Sequence, residues 1–240
     1  MIKFFTILFL NFFDFIHKKK IINFLYKKKI NPEQIIDVGA HHGETIKFFL
    51  KYFKPKKIYS FEASPENYLI LKKNINKLNE NQKKNIKIEN IALGKNNRSD
   101  LFNQMDESSS STFNQININS KYYLRKKFFL GIKKNKDLFK KVEIKIISLD
   151  NYFYNNNLSK IDLLKIDTEG FEFEILQGLQ ENIKNINFIL FEHHYDDMIK
   201  KNYKFKDINH LLILNNFKLI YKAKMPFRKS FEYIFSKKDL

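Results

Sequence analysis

No cysteine occurs among the 240 residues of this chain. Its absence excludes structural disulfides, thiolate zinc sites and iron–sulfur clusters. It therefore also excludes radical chemistry on a cysteine-held cluster and catalysis by a cysteine nucleophile. A chain without cysteine is compatible with a reducing compartment, and we expect a cytoplasmic protein.

The chain also lacks a long uninterrupted apolar run. Residues 1–17 are rich in Phe, Ile and Leu but contain Lys3, Asn11 and Asp14, whereas a membrane-spanning helix needs about 20 largely uncharged residues. No small-residue cleavage site follows, so a secretory signal is not expected. Two interpretations of residues 1–29 stay open. This helical extension lies on the inner face of a membrane, supported by its lysines, or it packs on the domain or a second subunit.

Acidic residues are much scarcer than basic ones, and the formal net charge is +18. Such a charge is compatible with a polyanion partner. The lysines, however, are spread through nearly every segment, which favours a solvated lysine-rich surface over a nucleic-acid groove. The length and the apolar fraction of 43% fit one α/β domain, which we place at residues 30–240.

The most informative stretch is a glycine turn that follows a short apolar strand. Asp37, Gly39 and Gly43 form the pattern D-x-G-x-x-x-G between the predicted strand Gln34–Val38 and a predicted helix. A strand–turn–helix corner of this kind presents free backbone N–H groups to a nucleotide or phosphate. The dinucleotide pattern itself fails, because His41 and Glu44 stand where its second and third glycines would be.

The rest of the chain alternates between strand and helix patterns, without a convincing internal repeat or linker. The predicted helices are Glu44–Phe53, Asn67–Leu78 (Ser64 as N-cap, Pro65 at the first position), a short helix with Asp150 as its candidate cap, Phe171–Leu179 and Phe205–Asn216. The predicted strands are Lys57–Glu62, Ile86–Leu93, Arg98–Gln104 at an edge, Val142–Ile147, Ile161–Asp167, Asn187–Glu192, Phe217–Lys222 and Phe231–Phe235. The closing strand is expected to be antiparallel, as the last strand of a hairpin.

Residues at the ends of two further strands, together with Asp37, are candidates for contact with a bound nucleotide. Glu62 ends the second strand, where a carboxylate can accept two hydrogen bonds from ribose hydroxyls; without the glycine turn it would be an ordinary exposed strand-end residue. Asp37 could shape the pocket for a cationic group or simply stabilise the turn. Ala92 and Leu93 end the third strand, where small and apolar side chains flank an adenine, although strand core explains these two residues equally well.

Polar residues cluster at the carboxyl ends of the next two strands, where an open α/β sheet binds its ligands. These residues are Asp167, Glu169, Glu192, His193 and His194. A histidine or a desolvated carboxylate there could act as a general base. The same cluster could instead hold a divalent cation through Asp167, Glu192 and one histidine. His41 and His42 are expected to stabilise the glycine turn rather than to take part in catalysis.

Residues 105–136 interrupt the alternation with a run of serines, an Asn-rich stretch and a basic stretch. A long insertion of low periodicity is either a functional lid or disordered. We expect its serines, Ser110 and Ser111 among them, to lie over the acceptor.

Together these motifs resemble the FkbM-type methyltransferases. The matching segments are Ile36–Ala40 with Gly43, Phe61–Ala63 with Pro65, Asn90–Gly94, Ser108–Thr112, Ser148–Asp150, Lys165–Glu172 and Leu176–Gly178. The resemblance covers roughly residues 33–195, and Lys-Ile-Asp-x-Glu-Gly is its most specific part. His41 and His42 depart from the common pattern, and residues 113–136 have no counterpart that we can align.

The resemblance implies a Rossmann-like class I methyltransferase fold, with a mostly parallel seven-stranded sheet of order 3-2-1-4-5-7-6 and helices on both faces. It implies S-adenosylmethionine as methyl donor and a hydroxyl acceptor on a sugar, glycan, glycolipid or secondary metabolite. The donor would be held by Asp37, Gly39, Ala40, Gly43, Glu62, Ala63, Ala92 and Leu93. Glu169 would border the acceptor. Two alternatives are a nucleic-acid methyltransferase, and a membrane-surface module that keeps the fold without turnover.

Overall fold

The computed structural model describes residues 2–105, 110–129 and 139–240. Its strands are β1 Gln34–Val38, β2 Lys57–Phe61, β3 Ile86–Glu89, β4 Ala92–Leu93, β5 Arg98–Met105, β6 Gln115–Ile116, β7 Phe139–Ile147, β8 Ile161–Ile166, β9 Ile186–His194, β10 Ile199–Lys200, β11 Phe217–Lys224 and β12 Ser230–Lys237. Its helices are α1 Ile2–Lys27, α2 Glu44–Tyr52, α3 Pro65–Ile75, α4 Glu80–Lys83, α5 Lys121–Phe129, α6 Leu149–Asn155, α7 Glu172–Gln177 and α8 Phe205–Leu214, with a 3-10 turn at Asn182–Asn185.

Seven strands form the main sheet in the order β11-β12-β9-β8-β1-β2-β3. The pairs from β3 to β9 are parallel, whereas β12 is antiparallel to both of its neighbours. Counted along the main sheet alone, this is the predicted order 3-2-1-4-5-7-6 with its antiparallel last strand. The predicted fold class is confirmed.

Alternating side chains of the buried strands supply two separate cores. Ile35 of β1 packs in a core with helices α1, α2 and α3, whereas its neighbour Ile36 packs in a core with α6, α7 and α8. A strand that is buried on both faces needs apolar residues at consecutive positions, as the sequence of β1 has. Polar residues at the carboxyl ends of the strands therefore lie beyond both cores, at one edge of the sheet.

The predicted third strand, Ile86–Leu93, is wrong as a single element. Its first half is β3 of the main sheet, but β4 pairs with β7 in a second sheet of order β4-β7-β5. Between them, the side-chain amide of Asn90 donates to the Glu62 carbonyl at 2.9 Å and so fixes the chain where it leaves the main sheet. The predicted edge strand near Arg98 is β5 of this second sheet.

Helix capping follows the prediction at one site and differs at another. Ser64 caps α3 as predicted, since its Oγ accepts a hydrogen bond from Asn67 N at 3.2 Å. The cap of α6, however, is Ser148. Asp150 instead accepts hydrogen bonds from the backbone N–H groups of residues 180–182.

The N-terminal helix α1 packs against the domain over the length for which its side chains are described. Ile21, Ile22 and Leu25 are buried in the core with α2 and α3. Nearer its start, Asp14 forms an ion pair with Arg228 in the turn before β12, and His17 forms a hydrogen bond with Glu232 of β12. None of the described helices combines the length and apolar character required to cross a membrane.

Candidate active site at the carboxyl edge of the sheet

The glycine turn is tied to the strands on both sides of β1. The backbone N–H groups of Gly39 and Ala40 both donate to the Phe61 carbonyl at 3.0 Å. Gly39 has φ +81°, and a Cβ at this position would lie 1.9 Å from the Asp167 carbonyl oxygen. Only glycine combines that backbone conformation with so close an approach. Gly43, with φ +89°, ends the turn and starts α2.

Glu62 lies directly beside this turn. One carboxylate oxygen accepts from His41 N at 2.7 Å and the other from Ser64 N at 2.9 Å. Burial raises the pKa of Glu62 to about 7, against the lowering effect of these two backbone donors. A carboxylate oxygen has more than one lone pair, so each oxygen retains capacity for a further donor such as a ribose hydroxyl.

Asp37 is fully buried under the turn and faces a lysine that we did not predict to be a site residue. Lys165 Nζ lies 3.1 Å from Asp37 Oδ1 and 3.5 Å from Asp167 Oδ2, and it donates to the Gly39 carbonyl at 3.3 Å. Although burial acts in the opposite direction, these two carboxylates raise the pKa of Lys165 above its ordinary value. This lysine thus links the donor turn to the end of β8.

The remaining predicted donor contacts differ in accessibility. Ala40, Ala92 and Leu93 are buried, and the last two pack in the core that includes α6 and α7. Ala63 is partly buried, and its carbonyl accepts from Asn90 Nδ2 at 3.3 Å. Their contact with a cofactor stays a prediction.

A second cluster, which we call the acid–histidine cluster, consists of Glu169, Glu192, His194 and Asp196. His194 lies at its centre, with Nε2 at 3.2 Å from Glu192 and 3.4 Å from Glu169, and Nδ1 at 3.5 Å from Asp196. Glu192 follows Phe191, which pairs with the last residue of β8. Asp167 directly follows Ile166, the last residue of β8, and therefore lies at the neighbouring strand end. The Asp167 side chain is 38% exposed.

Electrostatics give the members of the cluster different protonation states. Burial alone lowers the pKa of an imidazole, but the charges of Glu169 and Glu192 outweigh it and raise the pKa of His194 to about 10. Burial raises the pKa of Glu192 to about 7, against the opposing charge of His194. At neutral pH His194 is therefore an imidazolium, and Glu192 is poised to gain or lose a proton, as a general base requires.

The two predicted histidines lie on opposite faces of the sheet. Strand β9 continues through both of them, so consecutive side chains point in opposite directions. The His193 ring contacts Tyr195, Tyr203 and Phe205 at centroid distances of 4.9, 5.7 and 6.0 Å. Burial, together with the charges of Lys201 and His194, lowers the pKa of His193 to about 3. The structure does not bring His193 into the acid–histidine cluster.

Several residues near the cluster were missed from the sequence. Arg228 Nη2 lies 2.7 Å from Asp14 of α1, and the charge of Arg228 acts to lower the pKa of Glu192. Beside it, His17 of α1 lies 2.6 Å from Glu232, which pairs across the sheet with Glu192. An Asp and a His inside an apolar helix were the available signal, but their partners are more than 200 residues away.

The insertion lies against the turn that follows β8. Thr112 Oγ1 donates to the Glu169 carbonyl at 2.8 Å, and Asn114 Nδ2 donates to the Gly170 carbonyl at 2.6 Å. The hydroxyl groups of Ser110 and Ser111 accept hydrogen bonds from Lys126 and from Met105 N. Their predicted role at the acceptor is untested, and Ser108 and Ser109 lie outside the described residues.

The predicted cation site at the cluster has no support among the described residues. The group of three metal-type ligands that they do form, with donor atoms within 4.8 Å of one another, is His41, His42 and Glu44 at the glycine turn. The rings of His41 and His42 stack with their centroids 3.7 Å apart, and His41 Nδ1 lies 3.4 Å from a carboxylate oxygen of Glu44.

The fold and the sequence both relate this chain to known methyltransferases. The family model described as the methyltransferase FkbM domain matches residues 37–219. The methyltransferase FkbM from Methylobacillus flagellatus KT superposes with a TM-score of 0.56 at 13% identity, over 85% of this chain and 44% of that one. Magnesium protoporphyrin IX methyltransferase from Synechocystis PCC 6803, solved with bound S-adenosylmethionine, gives a TM-score of 0.52 at 9% identity, over 91% and 77%.

No curated protein shows a significant match to the sequence. At the identities found, the likeness to solved structures shows a shared fold, and the chain spans less than half of the M. flagellatus protein. The family match itself extends over most of the chain, from the glycine turn to β11. The chain therefore belongs to the FkbM methyltransferase family.

Proposed function

We propose that this protein is an S-adenosylmethionine-dependent O-methyltransferase whose acceptor is a hydroxyl of a sugar, glycan, glycolipid or secondary metabolite. The observation that carries the proposal is the position of Glu192 and His194 at the carboxyl end of β9, which is separated from the strand of the donor turn by β8 alone. A buried carboxylate with a pKa of about 7 is suited to removing a hydroxyl proton near neutral pH.

The residues of the donor turn fit the proposed cofactor. Glu62 is buried and held by two backbone donors, which orients both of its oxygens. Asp37 Oδ2 is buried and makes no hydrogen bond with any described residue, so it can accept one from a ligand amino group. The partial positive charge at the start of α2 lies beside the turn and favours a carboxylate. When bound, S-adenosylmethionine supplies an electrophilic methyl group on a sulfonium sulfur.

With the donor bound, Glu192 would take the proton of the acceptor hydroxyl as its oxygen receives the methyl group, and the donor would leave as S-adenosylhomocysteine. The imidazolium of His194 lies 3.2 Å from Glu192 and lowers the pKa of this carboxylate, so that a large fraction of it is ionised near neutral pH. Without that charge, burial would hold Glu192 protonated and unable to act as a base. His194 is thus a positioning and electrostatic residue in this scheme, and Glu192 is the base.

Binding of the product S-adenosylhomocysteine, measured by calorimetry on wild type and Glu62→Gln, tests the donor site. The substitution keeps the side chain's shape but removes the charged acceptor, and such a loss costs about 1.5–3 kcal/mol, or about 10- to 150-fold in affinity. Asp100→Asn, which alters an exposed carboxylate on β5, is the control and should bind as the wild type does. Equal binding by Glu62→Gln would contradict the assignment of the donor site.

The base assignment is tested by the pH dependence of methyl transfer to glycan fractions of the source cell, with nuclease-treated fractions as the second arm. His194→Gln removes the cation, so the pKa of Glu192 should rise and the acidic limb of kcat/KM should move to higher pH by one unit or more. An unmoved limb would refute the role of His194. Transfer that disappears after nuclease treatment would favour a nucleic-acid acceptor instead.

A further inference from the structure

A groove of about 580 Å³ opens beside the second sheet, between β5, β7 and the segment that follows Thr112. This volume lies within the range of about 300–1,000 Å³ that small-molecule sites occupy. The polar side chains that line it are carboxamides and lysines: Asn103, Gln115, Asn117, Asn119, Lys141 and Lys200. None of these residues has been assigned a role in the donor turn or the acid–histidine cluster.

Two lysines give the groove positive charge. Lys141 and Lys200 are exposed, and neither ammonium makes an ion pair with another described residue. The described residues that line the groove include no aspartate or glutamate. The lysines are contributed by β7 and by β10, so they approach the groove from two elements. A ligand that fills this space is therefore expected to carry negative charge.

The other lining groups point to hydroxyls rather than to bases. A carboxamide offers both donors and an acceptor, which matches neighbouring hydroxyl groups of a sugar. Phe113, an aromatic residue of the groove, packs its ring between Phe102 and Phe171 at centroid distances of 4.8 and 4.9 Å. These two contacts leave Phe113 less available for stacking with nucleobases, which single-stranded nucleic-acid sites require, although Phe139 also lines the groove.

The wall of the groove is continuous with the proposed acceptor site. Phe113 and Gln115 belong to the segment whose Thr112 and Asn114 donate to the carbonyls of Glu169 and Gly170. On the other side, Lys200 precedes Lys201, which donates to the carbonyl of His194. A chain-like acceptor with its reactive hydroxyl at the acid–histidine cluster can thus extend along this wall.

We propose that the groove binds the part of the acceptor beyond the methylated hydroxyl, and that this part is an acidic sugar chain. The inference rests on the proposed function, because it assumes that the acid–histidine cluster receives the acceptor. It goes further in assigning the groove, its two lysines and its amides to recognition of a carboxylated sugar.

The test is a calorimetric titration of the full-length protein with tetragalacturonate, with neutral maltotetraose as the uncharged probe. The double variant Lys141→Gln/Lys200→Gln removes both groove charges, and Lys145→Gln/Lys224→Gln removes two exposed lysine charges outside it. S-adenosylhomocysteine is titrated into every sample. We expect tetragalacturonate to bind the wild type and maltotetraose to bind much more weakly. The groove variant should lose about tenfold in affinity for tetragalacturonate, and the control variant less than twofold.

Three outcomes would overturn the groove proposal: no binding of tetragalacturonate, an equal loss in both variants, or equal binding of maltotetraose. If a single-stranded RNA oligonucleotide binds more tightly than tetragalacturonate and responds to the groove variant alone, the groove is a nucleic-acid site instead. The two proposals fail separately. Loss of tetragalacturonate binding with intact S-adenosylhomocysteine binding refutes the groove assignment alone, whereas the reverse pattern refutes the proposed donor.

Discussion

The buried ion pair beneath the glycine turn allows a quantitative prediction. Lys165→Met keeps the length of the side chain but removes the ammonium that lies 3.1 Å from Asp37 Oδ1. Asp37 is fully buried, and only 6% of Lys165 is exposed, so water cannot replace the lost charge. Asp167 is partly exposed and would be solvated after the change. The penalty therefore comes mainly from Asp37.

Removal of one partner of a buried ion pair costs about 3–5 kcal/mol, because the other charge is left uncompensated. A domain of this size loses about 2–4 °C of Tm per kcal/mol, so Lys165→Met should melt about 6–20 °C below the wild type. In Asp37→Asn/Lys165→Met neither charge of the pair remains, and a large part of the lost stability should be recovered.

The stability of Lys165→Met should depend on pH in a definite direction. Burial already raises the pKa of Asp37 in the wild type, against the lowering effect of Lys165, and Lys165→Met removes that opposing charge, so the folded-state pKa should rise further above its unfolded value. The folded protein then holds a proton that the unfolded chain releases, so the variant loses stability as the pH rises above about 4. Its deficit relative to the wild type should be smaller at pH 5 than at pH 8.

Urea denaturation followed by far-ultraviolet circular dichroism is the suitable assay, since the chain has no tryptophan. Lys145→Met, at an exposed position of β7, is the matched control and should change the stability by less than about 0.5 kcal/mol. A loss below about 1 kcal/mol for Lys165→Met, or a double variant as unstable as the single one, would refute this account of the pair.

Three further predictions concern the site. S-adenosylhomocysteine should bind the wild type about tenfold more weakly at pH 6 than at pH 8, because the pKa of Glu62 is about 7 and only the ionised form accepts two ribose hydroxyls. Calorimetry measures the affinity at both pH values, and equal affinities would disprove this prediction. Gly39→Ala places a Cβ 1.9 Å from a backbone oxygen and should abolish that binding or the folded state, which circular dichroism distinguishes; an unaffected variant would contradict the turn geometry. Arg228→Gln removes a cation that lowers the pKa of Glu192, so the acidic limb of kcat/KM should shift to higher pH; a shift to lower pH would show that Arg228 acts otherwise.

The sequence left open whether the helical extension binds a membrane or packs on the domain or a second subunit. The described contacts concern its packing on the domain. Residues 13–27 supply core side chains, the Asp14–Arg228 ion pair and the His17–Glu232 hydrogen bond to the domain. This is the packing expected if α1 belongs to the folded unit. Membrane association through residues 1–29 stays a prediction, and it can be measured by vesicle sedimentation of the full chain.

Local sequence by itself determined where most of the strands lie along the chain, the glycine turn and the Ser64 cap, whereas the order of the strands in the sheet was implied by the family resemblance. Each of the three local features rests on neighbouring residues. Apolar runs of strand length, a residue tolerant of positive φ and a hydroxyl before Pro65 act within a few positions of one another. The position of Glu62 at a strand end followed from the same local pattern.

Tertiary structure alone decided which charges meet. The pairs Lys165–Asp37, Arg228–Asp14 and Glu232–His17 each join residues that are more than 100 positions apart along the chain, and no local periodicity reports such a distance. Likewise, the two adjacent histidines were predicted to lie in the same polar cluster because the fifth strand was expected to end before them. Their separation depends on how far β9 pairs with β12, and pairing with a strand formed nearly 40 residues later is a property of the folded sheet rather than of the local sequence.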